Sequence, residues 1–248
     1  MNDSAAGNPN WWQEAKAMSL ARRAALPTKV GTAKPGDAFL IVTEGTVTEP
    51  VYFELLRTDL QLPVVRVKVV SGDASDPRYV IRSADREAKD QVRRAKKGQL
   101  GIDEPSKFDH VWAVIDTDVA IRNGIWNDVQ QLAVARKVTL AHSTPCFEFW
   151  LLLHFGFTTR SDLPDGAAAK AAMKTAICGE YGSNEEVTRT AIASFLAAWP
   201  SAVVHGERVR EHHVAVATPP PGNPSTEVDR LVRAMNDSAP THLRKLKI

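Results

Sequence analysis

Ala38-Phe39-Leu40-Ile41-Val42 is an unbroken apolar run, and it limits the fold more than any other feature. Continuous apolar residues suit a strand buried on both faces, as in a parallel sheet; a half-exposed strand would alternate. Further strand patterns follow, with helical patterns between them. Glu49-Pro50 opens a helix to about residue 60, its proline in the first turn, where a missing N–H does no harm. Residues 62–70 are β-branched and read as a second strand. Asp76-Pro77 supplies an N-cap and an N1 proline for a long charged helix to about Lys97. His110-Val111-Trp112-Ala113-Val114-Ile115 is a third strand, 123–136 a helix, 137–141 a short fourth strand and 145–155 a helix. Strands alternating with helices predict a parallel sheet of about four strands with helices on both faces, spanning 37–157.

The flanks read differently. Residues 1–36 form a polar tail to residue 9, a basic helix over 10–26 and a loop through Gly31, Pro35 and Gly36. Residues 158–248 are mostly helical in pattern, at 165–178, 185–198 and 225–236. A looser stretch between the last two ends in Pro219-Pro220-Pro221-Gly222. With 44% apolar and 24% charged residues, the chain excludes wholesale disorder. Its longest apolar runs, such as Phe149 to Phe155, fall far short of the roughly 18 to 20 residues of a membrane span. Met1 to Asn10 is polar and unlike a secretory signal, so no membrane and a cytoplasmic setting are expected. Two cysteines cannot build a disulfide framework or a cysteine-rich zinc site. Neither GxGxxG nor GxxxxGK[ST] occurs, which disfavours dinucleotide or P-loop nucleotide binding.

A net charge of +2 neither demands nor excludes a nucleic-acid partner, but its distribution is uneven. Residues 10–36 carry five basic side chains against one acid. Between 82 and 97, Arg82, Arg86, Lys89, Arg93, Arg94, Lys96 and Lys97 face three acids. Such stretches either solvate a helix face or follow a phosphate backbone. The candidates for the second role are Arg82, Arg86, Arg93, Arg94, Lys96 and Lys97.

The chemistry lies in acids at strand ends, where open parallel sheets gather functional groups. Glu44-Gly45 follows the first strand, and Asp116-Thr117-Asp118 follows the third. On an extended chain i and i+2 point the same way, so the two aspartates would face one point. These acids either cap helices and solvate strand ends, or converge. Converging carboxylates raise each other's pKa, and a hard divalent cation such as Mg²⁺ or Mn²⁺ resolves that conflict. Lesser candidates are Ser71-Gly72-Asp73, His142, Cys146, and Trp11-Trp12 as a stacking platform; each has an ordinary loop or packing alternative.

An apolar strand with Glu44-Gly45, then another with Asp116-x-Asp118, resembles the TOPRIM domain of topoisomerases, primases and OLD-family nucleases. Longer strings narrow this: Glu44-Gly45-x-x-Thr48-Glu49-Pro50-x-Tyr52-Phe53, Thr144-Pro145-Cys146-Phe147-Glu148-Phe149-Trp150, and Asn223-Pro224-Ser225-Thr226. Together, over about 20–236, the chain resembles the RloB-like family, related to AbiL-type abortive-infection proteins. The resemblance implies a TOPRIM-like Rossmannoid α/β core and a metal-dependent nuclease acting on DNA or RNA in bacterial antiphage defence. It implies an AAA/ABC-type ATPase encoded nearby as partner. The helical C-terminal region would suit a homodimer. Glu44 matches the TOPRIM glutamate, as general acid/base or metal ligand, and Asp116 and Asp118 match the DxD ligands. Val119-Ala120 stands where many TOPRIM sequences carry a further acid. Glu148 is the candidate to replace it as a catalytic and metal-binding residue, with Glu49 its rival. The alternative function is a non-catalytic binding or regulatory subunit of the ATPase.

Overall fold

The computed structural model describes residues 36–62, 65–69, 76–182 and 184–246. The expectations for the N-terminal helix, Trp11-Trp12 and Ser71-Gly72-Asp73 fall outside the described residues. Four parallel strands form the sheet: β1 (Phe39–Thr43), β2 (Val65–Val69), β3 (His110–Asp116) and β4 (Thr139–Thr144), in the order β2-β1-β3-β4. A two-residue strand, β5 (Ser225–Thr226), joins β4 antiparallel. The α/β architecture with a mostly helical C-terminal region is the one the alternating pattern predicts.

The helices are α1 (Thr48–Asp59), α2 (Pro77–Lys96), α3 (Asp118–Arg122), α4 (Trp126–Arg136) and α5 (Phe147–Leu152). The C-terminal region adds α6 (Gly166–Ile177), α7 (Glu185–Phe195), α8 (Trp199–Ala215) and α9 (Val228–Ser238). Asp76 caps α2, its carboxylate accepting from the Arg78 N–H at 2.9 Å, with Pro77 in the first turn.

Strand alternation sorts the core into two faces. Phe39, Ile41, Trp112, Val114 and Ala141 pack against α1, α5 and the C-terminal helices, with Trp150, Trp199, Leu231 and Val232 fully buried among them. Leu40, Val42, Ala113 and Ile115 pack on the other face against α2, through Val80, Ile81 and Ala84, and α4, through Val129 and Ala133. Fully burying side chains of this size contributes about 1.5–3 kcal/mol each, so the apolar run of β1 is a large part of what holds both layers to the sheet.

Three elements differ from the sequence reading. The looser stretch after residue 198 is the 17-residue helix α8, whose Pro200 sits in the first turn, where proline starts a helix. Residues 225–226, read as helix, are β5, and α9 starts at Val228. The fourth strand runs to Thr144, three residues beyond the expected end, because small and polar residues Ser143 and Thr144 pair with β5. Among the described residues, the helical run Glu185–Ala215 is long and apolar enough to cross a membrane by length and composition. It is broken by a 3₁₀ turn at Leu196–Ala198, and Ile192, Phe195, Trp199, Ala202 and Val203 are buried in the core.

A candidate carboxylate site at the carboxyl edge of the sheet

Glu44 is the first residue after β1, and its N–H donates to the Val114 carbonyl (3.3 Å). The Thr43 hydroxyl donates to the Gly45 carbonyl (3.0 Å), closing a tight turn. Glycine at 45 leaves room for the Glu49 carboxylate, which lies where a Cβ would be. Glu49, in the first turn of α1, therefore folds back over the Glu44-Gly45 turn and is buried. Asp116 ends β3, and its Oδ1 accepts the Phe147 N–H (2.9 Å). Cys146, the N-cap of α5, offers no side-chain cap, so a carboxylate from the neighbouring strand satisfies this otherwise unpaired donor. Glu148, in the same first turn, is buried. Both glutamates sit where the helix macrodipole favours negative charge.

The electrostatics show that these side chains share one site. Glu44 has its pKa pushed up from 4.5 to about 7, chiefly by burial and then by Asp118, while the Asp116 backbone N–H opposes the rise. Glu49 is likewise pushed up to about 7, by burial first, then by Glu148 and Glu44, with Lys170 opposing. Asp116 is held well above the usual carboxylate range by burial of its carboxyl group, then by Glu49, Glu148 and Glu44.

The backbone between the two aspartates is not extended, contrary to what the i, i+2 argument assumes. Thr117 is helical in backbone (φ −99°, ψ −13°), and Asp118 is the first residue of α3. Asp116 is under the influence of Glu49, Glu148 and Glu44, and Asp118 acts on Glu44. Asp118 also accepts the Val119 N–H at 2.6 Å. The Thr117 and Thr144 hydroxyls hydrogen-bond at 2.7 Å beneath this junction. His142 lies within β4 rather than after it. Its ring meets Trp126 at 4.9 Å, and Nδ1 lies 3.8 Å from Glu227 Oε2, away from the acids. Burial lowers its pKa. Cys146 is buried, and burial, then Glu148 and Asp116, push its thiol pKa up, which rules against a nucleophilic thiolate. His154 is a core residue: Nδ1–H donates to the Leu151 carbonyl (3.1 Å), which leaves Nε2 to accept from the Tyr52 hydroxyl (3.2 Å).

The basic candidates lie along α2. Asp76, its cap, acts on Glu44, so the helix starts at the acids and runs about 30 Å away from them at 1.5 Å per residue. Arg82 and Arg86 are exposed in the half nearer the site; Arg93, Lys96 and Lys97 are exposed at the far end. Arg94 pairs with Glu104 (2.7 Å), and Arg93 pairs with Asp90. Two further residues near the acids were missed by the sequence reading, Lys170 on α6 and Tyr181 in the loop after it. No local spacing marks them, since only the packing of the C-terminal region brings them in.

A hard divalent cation suits these donors in kind, because all are carboxylate oxygens and their mutual repulsion is relieved by positive charge. Among the described residues, no three His, Cys, Asp or Glu side chains are already arranged to hold an ion, so ligation would need carboxylate rotation.

A parallel α/β sheet with a buried carboxylate cluster at its carboxyl edge is the class of protein these observations define. A family model described as RloB-like protein matches residues 39–235, and the chain belongs to the RloB-like family. No curated protein and no solved structure matches it.

Proposed function

We propose that the chain is a metal-dependent nuclease, hydrolysing phosphodiester bonds in DNA or RNA as the effector of a bacterial antiphage system. The observation that carries this reading is Asp116, fixed by the Phe147 N–H and within electrostatic reach of Glu44, Glu49 and Glu148. Asp116, Glu49 and Glu148 would hold a Mg²⁺ or Mn²⁺ ion, with Asp118 and Glu44 at the more open side. Such an ion polarises a phosphodiester and lowers the pKa of a bound water. Glu44, pushed up to about 7, is poised to take a proton from water at neutral pH and return it to a leaving oxygen. Arg82 and Arg86, exposed at the near end of α2, would hold the substrate backbone. The defence role and the nearby AAA/ABC-type ATPase rest on the motif resemblance.

The test is cleavage of plasmid DNA, single strands and total tRNA with Mg²⁺ or Mn²⁺ and an EDTA control, wild type beside Asp116→Asn. Asparagine keeps an acceptor for the Phe147 N–H, so the variant should fold and lose activity by at least about 100-fold. Full activity in the variant would overturn the assignment.

A second reading, a non-catalytic regulatory subunit of the ATPase, is favoured by one observation. No three acids among the described residues are arranged to hold an ion. Calorimetry showing no Mn²⁺ binding, together with a stable complex with the neighbouring ATPase, would support it.

A further inference from the structure

A pocket of carboxylates repels a phosphodiester, so a site of this kind needs fixed positive charge and hydrogen-bond donors facing its acids. Two side chains of the C-terminal region meet that need. α6 lies against the start of α5: Cys146 Sγ is 3.9 Å from the Gly166 carbonyl oxygen, and a Cβ at Gly166 would lie 3.6 Å from the same sulfur. Lys170 is one helical turn beyond Gly166 on that face, while Ala169 and Met173 anchor the helix in the core. Its ammonium acts on Glu148, Cys146, Asp116 and Glu49, yet the residue is exposed and makes no ion pair within 4 Å among the described residues. It is a cation at the rim of an acidic pocket, open to solvent.

Tyr181 approaches from the other side. Lys174 at the end of α6 pairs with Glu180, and the next residues are held in place. The Gly182 N–H donates to the Thr188 hydroxyl at 2.7 Å, and a Cβ at Gly182 would lie 3.8 Å from Thr48 Oγ1, at the start of α1. The loop is thus pinned between α7 and the helix that carries Glu49. Tyr181 is 6% exposed, and its buried hydroxyl faces Glu148, Cys146 and Glu49, with Glu148 its nearest acceptor although no hydrogen bond of full geometry is made. Buried hydroxyls nearly always find a partner, so once Glu148 turns to a cation this donor is left to an incoming acceptor.

We infer that Lys170 and Tyr181 form the phosphate-binding half of the carboxylate site, Lys170 taking a non-bridging phosphodiester oxygen at the rim and Tyr181 donating from behind it. This deepens the proposed nuclease reading and rests on it for the identity of the anion. It assigns the C-terminal region a direct part in substrate binding.

The experiment compares full-length wild type, Lys170→Met, Lys170→Arg, Tyr181→Phe and Asp116→Asn. It reads binding of a fluorescein-labelled 20-nucleotide DNA and the same-sequence RNA, with Ca²⁺ and with EDTA, by anisotropy, and Mn²⁺ affinity by calorimetry. It also reads cleavage kinetics across a salt series. Lys170→Met should keep its Mn²⁺ affinity within about threefold and its thermal midpoint. It should bind oligonucleotide at least about fivefold more weakly, and the slope of log affinity against log salt should fall by about one. Lys170→Arg should recover most of the loss, and Tyr181→Phe should lower kcat about tenfold with little change in Mn²⁺ affinity. Wild-type cleavage with unchanged binding, salt slope and turnover in Lys170→Met and Tyr181→Phe would overturn the inference and leave the nuclease reading standing. Binding without cleavage, still weakened in Lys170→Met, would refute the nuclease reading and keep the anion site. Wild type that binds neither oligonucleotide refutes both.

Discussion

Glu44→Gln should make the metal-free protein more stable at pH 8, and the effect should shrink at pH 5. Burial and Asp118 raise the Glu44 pKa from 4.5 to about 7 in the folded state. A raised folded pKa means that the folded chain binds the proton more tightly than the unfolded one. The stability from that proton is complete below about 4.5 and is lost as pH climbs through 7. At pH 8 the carboxylate is ionised in both states, and the folded state carries the cost. The displacement from 4.5 to about 7 corresponds to roughly 3 kcal/mol for a wholly shielded group. Glu44 is only half-buried, and solvent screening reduces this to about 1–2 kcal/mol. For a chain of this length that is a rise of about 3–6 °C in Tm. At pH 5 the difference should shrink to about 0.5–0.8 kcal/mol, as most Glu44 side chains are protonated when folded but not when unfolded. Removing the charge also relieves Asp116 and Glu49, which acts in the same direction. The assay is calorimetric or fluorescence-detected melting in EDTA at both pH values, with a Mn²⁺ arm at pH 8. If this carboxylate helps to hold the ion, Mn²⁺ should stabilise wild type more than the variant. A variant no more stable than wild type at pH 8, or equally stabilised at pH 5, would refute the reasoning.

Two further outcomes follow from neighbouring packing. Gly45→Ala puts a Cβ where the Glu49 carboxylate lies, and a flexible glutamate head can move. Tm should change by less than about 2 °C, while Mn²⁺ affinity falls about 10–100-fold by calorimetry; unchanged affinity would remove Glu49 from the site. Arg210 is the ion-pair partner of Asp229, which is 1% exposed and whose Oδ2 has no hydrogen bond. Arg210→Met leaves that carboxylate buried without its counter-charge and should cost about 3–5 kcal/mol, or roughly 10 °C in Tm. Adding Asp229→Asn to the same chain should restore part of the loss.

What was legible in the sequence is what local pattern encodes. β1 and β3 are continuous apolar runs, and their ends place Glu44 and Asp116 on one edge of the sheet without any tertiary knowledge. Asp76-Pro77 caps α2 through a purely local hydrogen bond. The failures are equally physical. α8 mixes Gly206, paired histidines and a proline, so no single apolar stripe announces it. β5 is two polar residues whose strand character comes from pairing with β4, including a Ser143–Thr226 hydroxyl contact of 2.9 Å. The relation of Asp116 to Asp118 turned on the Thr117 backbone, a single torsion that spacing does not report. Glu49 could have been ranked above a mere rival from Gly45 alone, since a glycine four residues before an acid at a helix start leaves room for the carboxylate to fold back. Lys170 and Tyr181 lie 22 and 33 residues beyond Glu148, and only the docking of α6 and α7 brings them close.

The face of the sheet that carries Trp112 and Val114 is covered by α1 and α5 and, later in the chain, by α8 and α9. During synthesis all four parallel strands and the acids are therefore made well before the rest of their covering layer. Between Leu153 and Met235 a ribosome takes roughly 5–15 s at ordinary elongation rates. Throughout that interval the apolar face of the sheet has only α1 and α5 over it, so its packing stays incomplete. The nascent chain is thus held short of a finished core until α9 emerges, a delay written into the order of the elements.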